Sequence, residues 1–382
     1  MPLFDVYPLY DVTPVSGKGI HIYDDKGAEY LDLYGGHAVI SIGHAHPNYI
    51  KAVTEQVNAL GFYSNAIQNP LQQELASKLE QLSGCDGYQL FLVNSGAEAN
   101  ENALKMASFK TRKKRVVAFK KGFHGRTSAA VAATDNPNIV APINAQQDVT
   151  ILELNDIDAV KTELERDDVC AVIVEFIQGV GGLDQGTAEF FEQVDALCKA
   201  NNTMFIADEV QSGYGRSGKF FAFQYYNVTP DIISIAKGMG NGFPIGGILI
   251  HPNIEAQYGM LGTTFGGNHL ACAAGLSVLN TIESENLLEN VNEVGTYFVE
   301  KAKDIPQIKK IKGRGLMLGL EFDFEVGALR KELIYNHKVF TGGAANKKLL
   351  RILPPLNIEK VHVDEFFDIL NVALKKITET VK

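Results

Sequence analysis

The chain has 382 residues, of which 46% are hydrophobic and 21% charged, and its formal net charge is −10. This composition excludes a disordered chain and predicts a globular protein with a large core divided between two subdomains. The acidic balance argues against nucleic acid or an anionic membrane surface as a partner. The longest basic block, Lys110–Arg115, is typical of a solvated helix end.

The sequence shows no recognisable targeting signal, because Met1–Asp5 is not a basic region followed by an apolar stretch. No apolar run reaches the length of about 18 residues that a membrane helix needs. We therefore expect a protein that is neither exported nor membrane-spanning. The cysteines are widely spaced, without a C-x-x-C motif, which fits reduced thiols in a cytoplasmic protein; they are Cys85, Cys170, Cys198 and Cys272.

The predicted elements begin with a β-hairpin, since Gly19–Tyr23 and Tyr30–Leu33 flank the segment Asp24–Gly27, whose Lys26-Gly27 pair is the predicted turn. Residues 1–45 are expected to complete the smaller domain. Further along, continuously apolar runs predict strands that are buried on both faces. These runs are Val116–Phe119, Val169–Val174, Thr203–Ala207, Ile232–Ile235 and Gly247–Ile250.

Helical stretches alternate with these strands, as at Ala188–Ala200, and this alternation predicts an α/β protein with a parallel sheet over residues 46–274. From about residue 275 the pattern changes, and residues 275–382 are expected to form a smaller α+β domain. That part predicts, in order, a long helix through Lys303, strands around Leu316–Phe322 and Leu349–Leu353, and a final amphipathic helix from about Val363.

Asp208 directly follows the run Thr203–Ala207, and Lys237 follows Ile232–Ile235. A lysine that forms an imine and a carboxylate that keeps a pyridine nitrogen protonated are the two groups that pyridoxal phosphate (PLP) requires of a protein. Either residue alone carries little weight, because such charged residues are usually just exposed. The pair indicates a PLP site only if the chain also supplies a phosphate site.

A phosphate site is predicted at Asn94–Glu101, where a helix follows the apolar run Leu90–Val93. Ser95 and Glu98 fit a capping box, and the small residues Gly96 and Ala97 let an anion approach the backbone. An ordinary capped helix is the alternative interpretation.

Two glycine-flanked segments supply further candidates. Phe123 could stack on a pyridine ring, Arg126 could bind a carboxylate through two hydrogen bonds, and Thr264 could donate its hydroxyl to a phosphate. Each segment could equally be an ordinary loop or turn, so neither decides the function.

Taken together and in this order, the motifs resemble those of the class III, ornithine-type (subgroup II) aminotransferases, and within them the acetylornithine and succinylornithine branch. The resemblance covers nearly the whole chain. It implies a PLP-dependent transferase of fold type I, an α/β protein whose large domain has a central, mostly parallel sheet and whose smaller α+β domain is built from the N- and C-terminal parts. Further matching segments are Gly17–Gly19, Gly43–Pro47 and Leu350–Pro355.

The resemblance also implies roles for individual residues. Lys237 carries the cofactor as an imine and later shuttles a proton, Asp208 keeps the ring nitrogen charged, and Glu175 is an acid near the substrate and the ring. Thr264 reaches the phosphate of the neighbouring subunit's cofactor, which implies a homodimer. The other cofactor contacts implied are Ser95, Gly96, Ala97, Phe123, His124 and Gln211.

For substrates, the resemblance implies N-acylornithine, either acetylated or succinylated, and 2-oxoglutarate, in a ping-pong reaction of arginine biosynthesis. Arg126 binds the α-carboxylate of the acylated ornithine, Arg351 binds that of 2-oxoglutarate, and Gln178 is a further substrate contact. Free ornithine, 4-aminobutyrate or another ω-amine are the alternative substrates. A PLP-binding protein without turnover fits less well, since Lys237 and Asp208 are both present. A mutase fits less well because Arg126 and Arg351 suit two successive carboxylate-bearing substrates.

Two positions depart from the family pattern. Relatives commonly carry a glutamate where Val180 stands, and it neutralises the arginine that matches Arg351. Because an unpaired buried arginine is costly, we expect another acid to replace it or Arg351 to stay solvated, and we hypothesise a substrate with an additional carboxylate, such as N-succinylornithine. His37 replaces an aliphatic residue and could hydrogen-bond an acyl group or simply pack.

His44 and His46 could suggest a pair of metal ligands. Two ligands without a third nearby carry little weight, and the following Pro47 fits a turn. The sequence therefore predicts no metal site.

Overall fold

The computed structural model describes residues 1–380. Its strands are β1 Pro14–Lys18, β2 His21–Asp24, β3 Glu29–Asp32, β4 Gln89–Val93, β5 Arg115–Phe119, β6 Val149–Leu152, β7 Val169–Val174, β8 Met204–Asp208, β9 Ile232–Ile235, β10 Gly246–Ile250, β11 Lys310–Arg314, β12 Met317–Glu321, β13 Val339–Phe340 and β14 Leu349–Ile352.

The helices are α1 Gly35–Ala38, α2 Pro47–Ala59, α3 Pro70–Ser83, α4 Gly96–Thr111, α5 Ser128–Ala132, α6 Ile157–Leu164, α7 Ala188–Ala200, α8 His269–Ser284, α9 Leu287–Lys303, α10 Gly327–His337 and α11 Lys360–Thr380. Short 3-10 turns lie at Pro137–Ile139, Ala222–Tyr225 and Lys237–Met239. Among residues 1–380, no helix is both long and apolar enough to cross a membrane.

The large sheet has the strand order β4-β10-β9-β8-β7-β5-β6. Its strands are parallel except β10, which runs antiparallel to both β4 and β9. The central strands β7, β8 and β9 are fully buried, as expected for a sheet that is covered by helices on both faces. The predicted fold class, with its mostly parallel sheet, is confirmed; the reversed direction of β10 is not visible in an apolar run.

The two ends of the chain meet in one smaller sheet, in which β1, β2 and β3 are antiparallel and β13 joins β3 in parallel. The remaining strands form the antiparallel sheet β11-β12-β14. The smaller part is therefore built from both the N-terminal and the C-terminal residues, as predicted. The exact domain boundaries stay a prediction.

One predicted helix is wrong. The structure divides the expected long helix through Lys303 into α8 and α9, because Asn286 adopts a left-handed conformation with φ of 50° between them. Asparagine tolerates this conformation better than most residues. The apolar residues on both sides of Asn286 have helical spacing, so the sequence pattern did not indicate the break.

Candidate active site

A cavity of about 360 Å³ lies at the carboxyl ends of the strands of the large sheet. This edge is where open α/β sheets bind ligands, because the loops after neighbouring strands converge there. The loops after β4, β5, β7, β8 and β9 all reach the cavity. They place the following predicted residues around it: Ser95, Gly96, Ala97, Phe123, His124, Arg126, Glu175, Asp208, Gln211 and Lys237.

Asp208 is a buried carboxylate whose two oxygens are both bound. Oδ2 accepts hydrogen bonds from Nδ1 of His124 at 2.7 Å and from the side-chain amide of Asn100 at 2.8 Å. Oδ1 accepts one from the backbone N–H of Val210 at 3.1 Å. Asn100 is a functional candidate that the sequence did not reveal, since a polar residue inside a helix normally faces water; here it lies on the buried face of α4.

His124 is the charge partner of Asp208. Burial acts to lower the pKa of the imidazole, but the hydrogen bond and charge of Asp208, together with the charge of Glu175, raise it above its ordinary value. The Asn100 amide also donates to the backbone carbonyl of His124 at 2.7 Å. The three side chains therefore form a buried network that fixes the orientation of the Asp208 carboxylate.

Glu175 follows β7 directly and is held by two backbone donors. Its oxygens accept from the N–H of Phe123 at 2.9 Å and from the N–H of Gly179 at 2.8 Å. Burial and the nearby charge of Asp208 raise the pKa of Glu175, against the opposing effects of His124 and of these hydrogen bonds. A carboxyl group with a raised pKa can hold a proton near neutral pH.

Lys237 lies two residues after the end of the buried strand β9, at the start of a short 3-10 turn. Its φ of 47° is left-handed, an unfavourable conformation for a residue with a side chain and one that is concentrated at functional sites. Burial lowers the pKa of its amine, and Arg351 lowers it further, while Asp208 and Glu175 oppose them. A lowered pKa makes the amine a better nucleophile at neutral pH.

The N-terminus of α4 forms another part of the cavity wall. Ser95 is its N-cap, and the Ser95 hydroxyl accepts the N–H of Glu98 at 3.2 Å. The Glu98 carboxylate binds the N–H of Asn94 at 2.7 Å, so only half of the predicted capping box forms. The N–H groups of Gly96 and Ala97 are left for an anion, since the first turn of a helix has no internal partners for them.

Gly96 is required at this wall because a Cβ on it would lie 2.5 Å from Cγ1 of Val210, another residue of the cavity. We expect Gly96→Ala to displace the helix terminus and to weaken the binding of an anionic cofactor about tenfold, the effect of a modest overpacking penalty. The measurement is a titration of the stripped protein with cofactor. Gly327→Ala, where a Cβ meets no atom within 4 Å, is the matched control. Equal affinities of the two variants would contradict this assignment.

Arg126 and Arg351 differ in their surroundings. Arg126 is exposed and lines the cavity, and among the described residues its guanidinium has no hydrogen-bond partner. Arg351 is only 4% exposed and lies behind the cavity wall, where it donates to the carbonyls of Gly343 at 2.5 Å and Gly179 at 2.8 Å. No carboxylate in residues 1–377, whose side chains the structure describes, forms an ion pair with it.

The expectation that another acid pairs with Arg351, or that Arg351 is solvated, is therefore wrong. Main-chain carbonyls replace the missing glutamate, which is possible because Gly179 and Gly343 approach the guanidinium closely. Burial lowers the pKa of Arg351 although Tyr34 and Glu175 oppose this. Val180 itself lines the cavity next to this arginine.

The structure does not bring every predicted residue to the cavity. Gln178 is buried outside it, with its amide donating to the carbonyl of Lys120 at 2.7 Å. Thr264 is exposed and does not line the cavity of its own chain. Roles for these two residues stay predictions.

The histidines of the N-terminal part have local partners. His44 lies 2.8 Å from Asp32 and His46 lies 2.9 Å from Glu285. Among residues 1–380, no group of three or more ligand-type side chains could hold a metal ion. His37 is exposed near the cavity and its Nδ1 lies 2.5 Å from the hydroxyl of Tyr34.

Glu209 is a second buried carboxylate, which faces away from the cavity. It accepts hydrogen bonds from the hydroxyl of Ser212 at 2.6 Å and from the N–H groups of Ala222 and Phe223 at 2.9 and 2.8 Å. Burial outweighs these bonds and raises its pKa to about 7, from 4.5. The folded state thus binds this proton more tightly than the unfolded state does.

The stability contribution of Glu209 is therefore fully present below pH 4.5 and is lost as the pH rises through 7. We expect the free energy of unfolding of the wild type to fall by roughly 3 kcal/mol across this window relative to Glu209→Gln, which cannot titrate. Urea unfolding of both proteins between pH 4 and 8, in about half-unit steps, measures this difference. Parallel pH profiles would contradict the assigned pKa.

Comparison with known proteins agrees with this geometry. The family model described as aminotransferase class-III matches residues 6–374. The acetylornithine aminotransferase of Aquifex aeolicus is 41% identical and the alignment covers 97% of this chain and 99% of that protein; the one of Bacillus subtilis is 37% identical and covers 97% of both. A crystal structure of Toxoplasma gondii ornithine aminotransferase with partial PLP occupancy has a TM-score of 0.89 at 27% identity, covering 98% of this chain and 93% of that one.

The chain belongs to the class III aminotransferases. It is a PLP-dependent transaminase, and the predictions of the family, the enzyme class and the cofactor are confirmed. The cavity fits this cofactor: it combines an amine, a buried carboxylate and a helix N-terminus. In addition, Oδ1 of the buried Asn100 has no hydrogen-bond partner within the described part of the chain.

Proposed function

We propose that the enzyme transfers the terminal amine of an N-acylated ornithine to 2-oxoglutarate, which yields glutamate and the acylated semialdehyde, as a step of arginine biosynthesis. The observation that supports this most is the cavity itself, which joins Lys237 and Asp208 with the exposed guanidinium of Arg126, near the buried one of Arg351. The relatives named acetylornithine aminotransferase support the choice of amine donor.

Bound PLP would supply a carbonyl group that takes an amine and a ring that accepts electrons. The N–H groups of Gly96 and Ala97 would hold its phosphate, Phe123 would face its ring, and the Asp208 carboxylate would hold the proton of its ring nitrogen. Nζ of Lys237, whose lowered pKa favours the free amine, would hold the carbonyl group of PLP and would move a proton during the reaction.

The two carboxylate-bearing substrates need two cations in succession. Arg126 is free to bind the α-carboxylate of the acylated ornithine, with the terminal amine extending toward Lys237. Arg351 would bind 2-oxoglutarate, and in this chain no acid has to move away first, because its present partners are carbonyl oxygens. Glu175 lies between these groups and the Asp208 network and can hold a proton there.

Product analysis with 2-oxoglutarate and one amine at a time tests the proposal. Glutamate should form fastest from N-acetylornithine or N-succinylornithine; faster formation from ornithine or 4-aminobutyrate would replace the proposal with the second substrate class. Val180→Glu addresses the acyl group, since a glutamate there would oppose an additional substrate carboxylate. An unchanged ratio of the two acylated substrates in this variant would remove the succinyl hypothesis.

We also propose that the enzyme is a cytoplasmic homodimer, with Thr264 contributed across the interface. Apolar side chains are exposed beside it, at 41% for Phe62, 58% for Tyr63 and 59% for both Ile67 and Phe265. Such a patch is typical of a covered surface. Free, buried cysteines fit a reducing compartment. Light scattering that gave the mass of one chain would contradict the dimer.

A further inference from the structure

The guanidinium of Arg216 is a buried cation that takes no part in the proposed reaction. The Arg216 side chain is 2% exposed, and it forms no ion pair with any side chain of residues 1–377. Burial lowers its pKa to about 9, although the charge of Asp32 opposes this. Because a buried arginine without an acidic partner is unfavourable, its hydrogen bonds must serve the structure.

The guanidinium of Arg216 binds three carbonyls that are far apart in the sequence. Nη1 donates to the carbonyls of Leu316, at 3.4 Å, and Pro354, and Nη2 donates to the carbonyl of Ile40 at 3.3 Å. The N–H of Leu316 also donates back to the carbonyl of Arg216 at 3.0 Å. Ile40 is adjacent to Val39, which lines the cavity. One side chain thus joins three separate segments of the smaller part.

Two of these carbonyls lie next to the strand pair β12–β14, and β14 carries Arg351. Leu316 directly precedes β12, and Pro354 lies three residues after Arg351 at the end of β14. In the β12–β14 pair, Gly319 is the partner of Arg351. The strands are antiparallel, with Leu318 opposite Ile352, so Leu316 and Pro354 lie at the same end of the pair. By binding both strands at this end, Arg216 determines where the Arg351 guanidinium lies relative to the large sheet.

On its other side, Arg216 belongs to the loop 209–223, which begins where β8 ends at Asp208. The Glu209 carboxylate closes the base of this loop by binding the N–H groups of Ala222 and Phe223. The loop also contains Gln211, whose Oε1 lies 3.5 Å from Nη1 of Arg351. A closed loop of this kind forms a stiff connection between the Asp208 site and the strand of Arg351.

We propose that Arg216 is a positioning residue that holds Arg351 and the segment around Ile40 at a fixed distance from Asp208. A substrate carboxylate on Arg351 is then aligned with the reacting amine. This inference rests on the proposed role of Arg351 as the site of a substrate carboxylate. It predicts that Arg216 affects the affinity for a dicarboxylate without affecting the binding of PLP.

The test is a titration of the PLP-loaded enzyme with glutarate, an unreactive five-carbon dicarboxylate, followed by calorimetry and by the visible absorbance. Arg216→Met should bind glutarate at least about tenfold more weakly, because a small displacement of a binding group has a large effect. Its PLP affinity should equal that of the wild type. Arg216→Lys, which keeps the charge but cannot reach three carbonyls, should be intermediate. Ser217→Ala, which removes a buried hydroxyl that has no partner in the described structure, is the control.

Arg351→Met separates the two possible failures. If it binds glutarate as well as the wild type does, the proposed substrate role of Arg351 fails. If Arg351→Met loses glutarate and Arg216→Met does not, only the positioning role is overturned. Equal losses of PLP and glutarate in Arg216→Met would overturn it too, since they would indicate general destabilisation. If Arg216→Met does not fold, Arg216→Lys decides: weaker glutarate binding at unchanged PLP affinity supports the proposal, and unchanged glutarate binding overturns it.

Discussion

Replacing Lys237 with alanine is expected to lower the rate of amine transfer by at least about 10³-fold, because the variant lacks both the nucleophile and the group that moves the proton. The surrounding site should persist. Asp208, its His124 and Asn100 partners and the N-terminus of α4 do not depend on the lysine for their hydrogen bonds. The variant should therefore bind PLP while its visible spectrum differs from that of the wild type.

Lys219→Ala is a suitable control for Lys237→Ala, because Lys219 is exposed and donates only to the carbonyl of Gln224. Steady-state rates and spectra of both variants, measured at the same PLP saturation, give the comparison. Normal turnover by Lys237→Ala would refute the assignment of the lysine. Loss of PLP from Lys237→Ala would instead show that the other contacts do not hold the cofactor.

Asp208→Asn is expected to reduce turnover by about 10²- to 10³-fold, the range seen when a fixed electrostatic partner of a developing charge is removed. The amide has nearly the same shape but no negative charge with which to keep a ring nitrogen protonated. It would also direct N–H groups at His124 and Asn100, which already donate to this position. The rate of each half-reaction, followed by absorbance, would show where the loss occurs.

Asp231→Asn makes the same chemical change away from the cavity, where the carboxylate accepts the N–H of Phe205 at 2.8 Å. It controls for the general cost of neutralising an aspartate on a neighbouring strand, and its turnover should remain near that of the wild type. An unaffected rate in Asp208→Asn would mean that a different residue protonates the ring.

The sequence predicted the large sheet well, and the reason is physical. β7 and β9 match the apolar runs Val169–Val174 and Ile232–Ile235 at both ends, because strands covered on both faces consist mainly of apolar residues. The same rule does not report strand direction, so β10 could not be recognised as antiparallel. The break at Asn286 was missed because both helices beside it have amphipathic patterns.

The candidate site was predicted where side-chain chemistry is distinctive and missed where it is not. Asp208 and Lys237 were found because each lies at or just after the end of a buried, apolar strand. Asn100 was missed, since the pattern of α4 does not show which of its polar residues faces inward. The partners of Arg351 were predicted wrongly because backbone carbonyls have no sequence signature. Arg216 was overlooked for the same reason.

Whether the enzyme is a PLP-dependent N-acylornithine aminotransferase is tested most directly with the PLP-loaded enzyme and a single amine, without any keto acid. The measurement is the change in visible absorbance after the amine is added. N-Acetylornithine, N-succinylornithine, ornithine and 4-aminobutyrate would be compared at equal concentrations. We expect an acylated ornithine to bleach the visible band fastest and 2-oxoglutarate then to restore it. Faster bleaching by ornithine or 4-aminobutyrate, or no visible band at all, would contradict it.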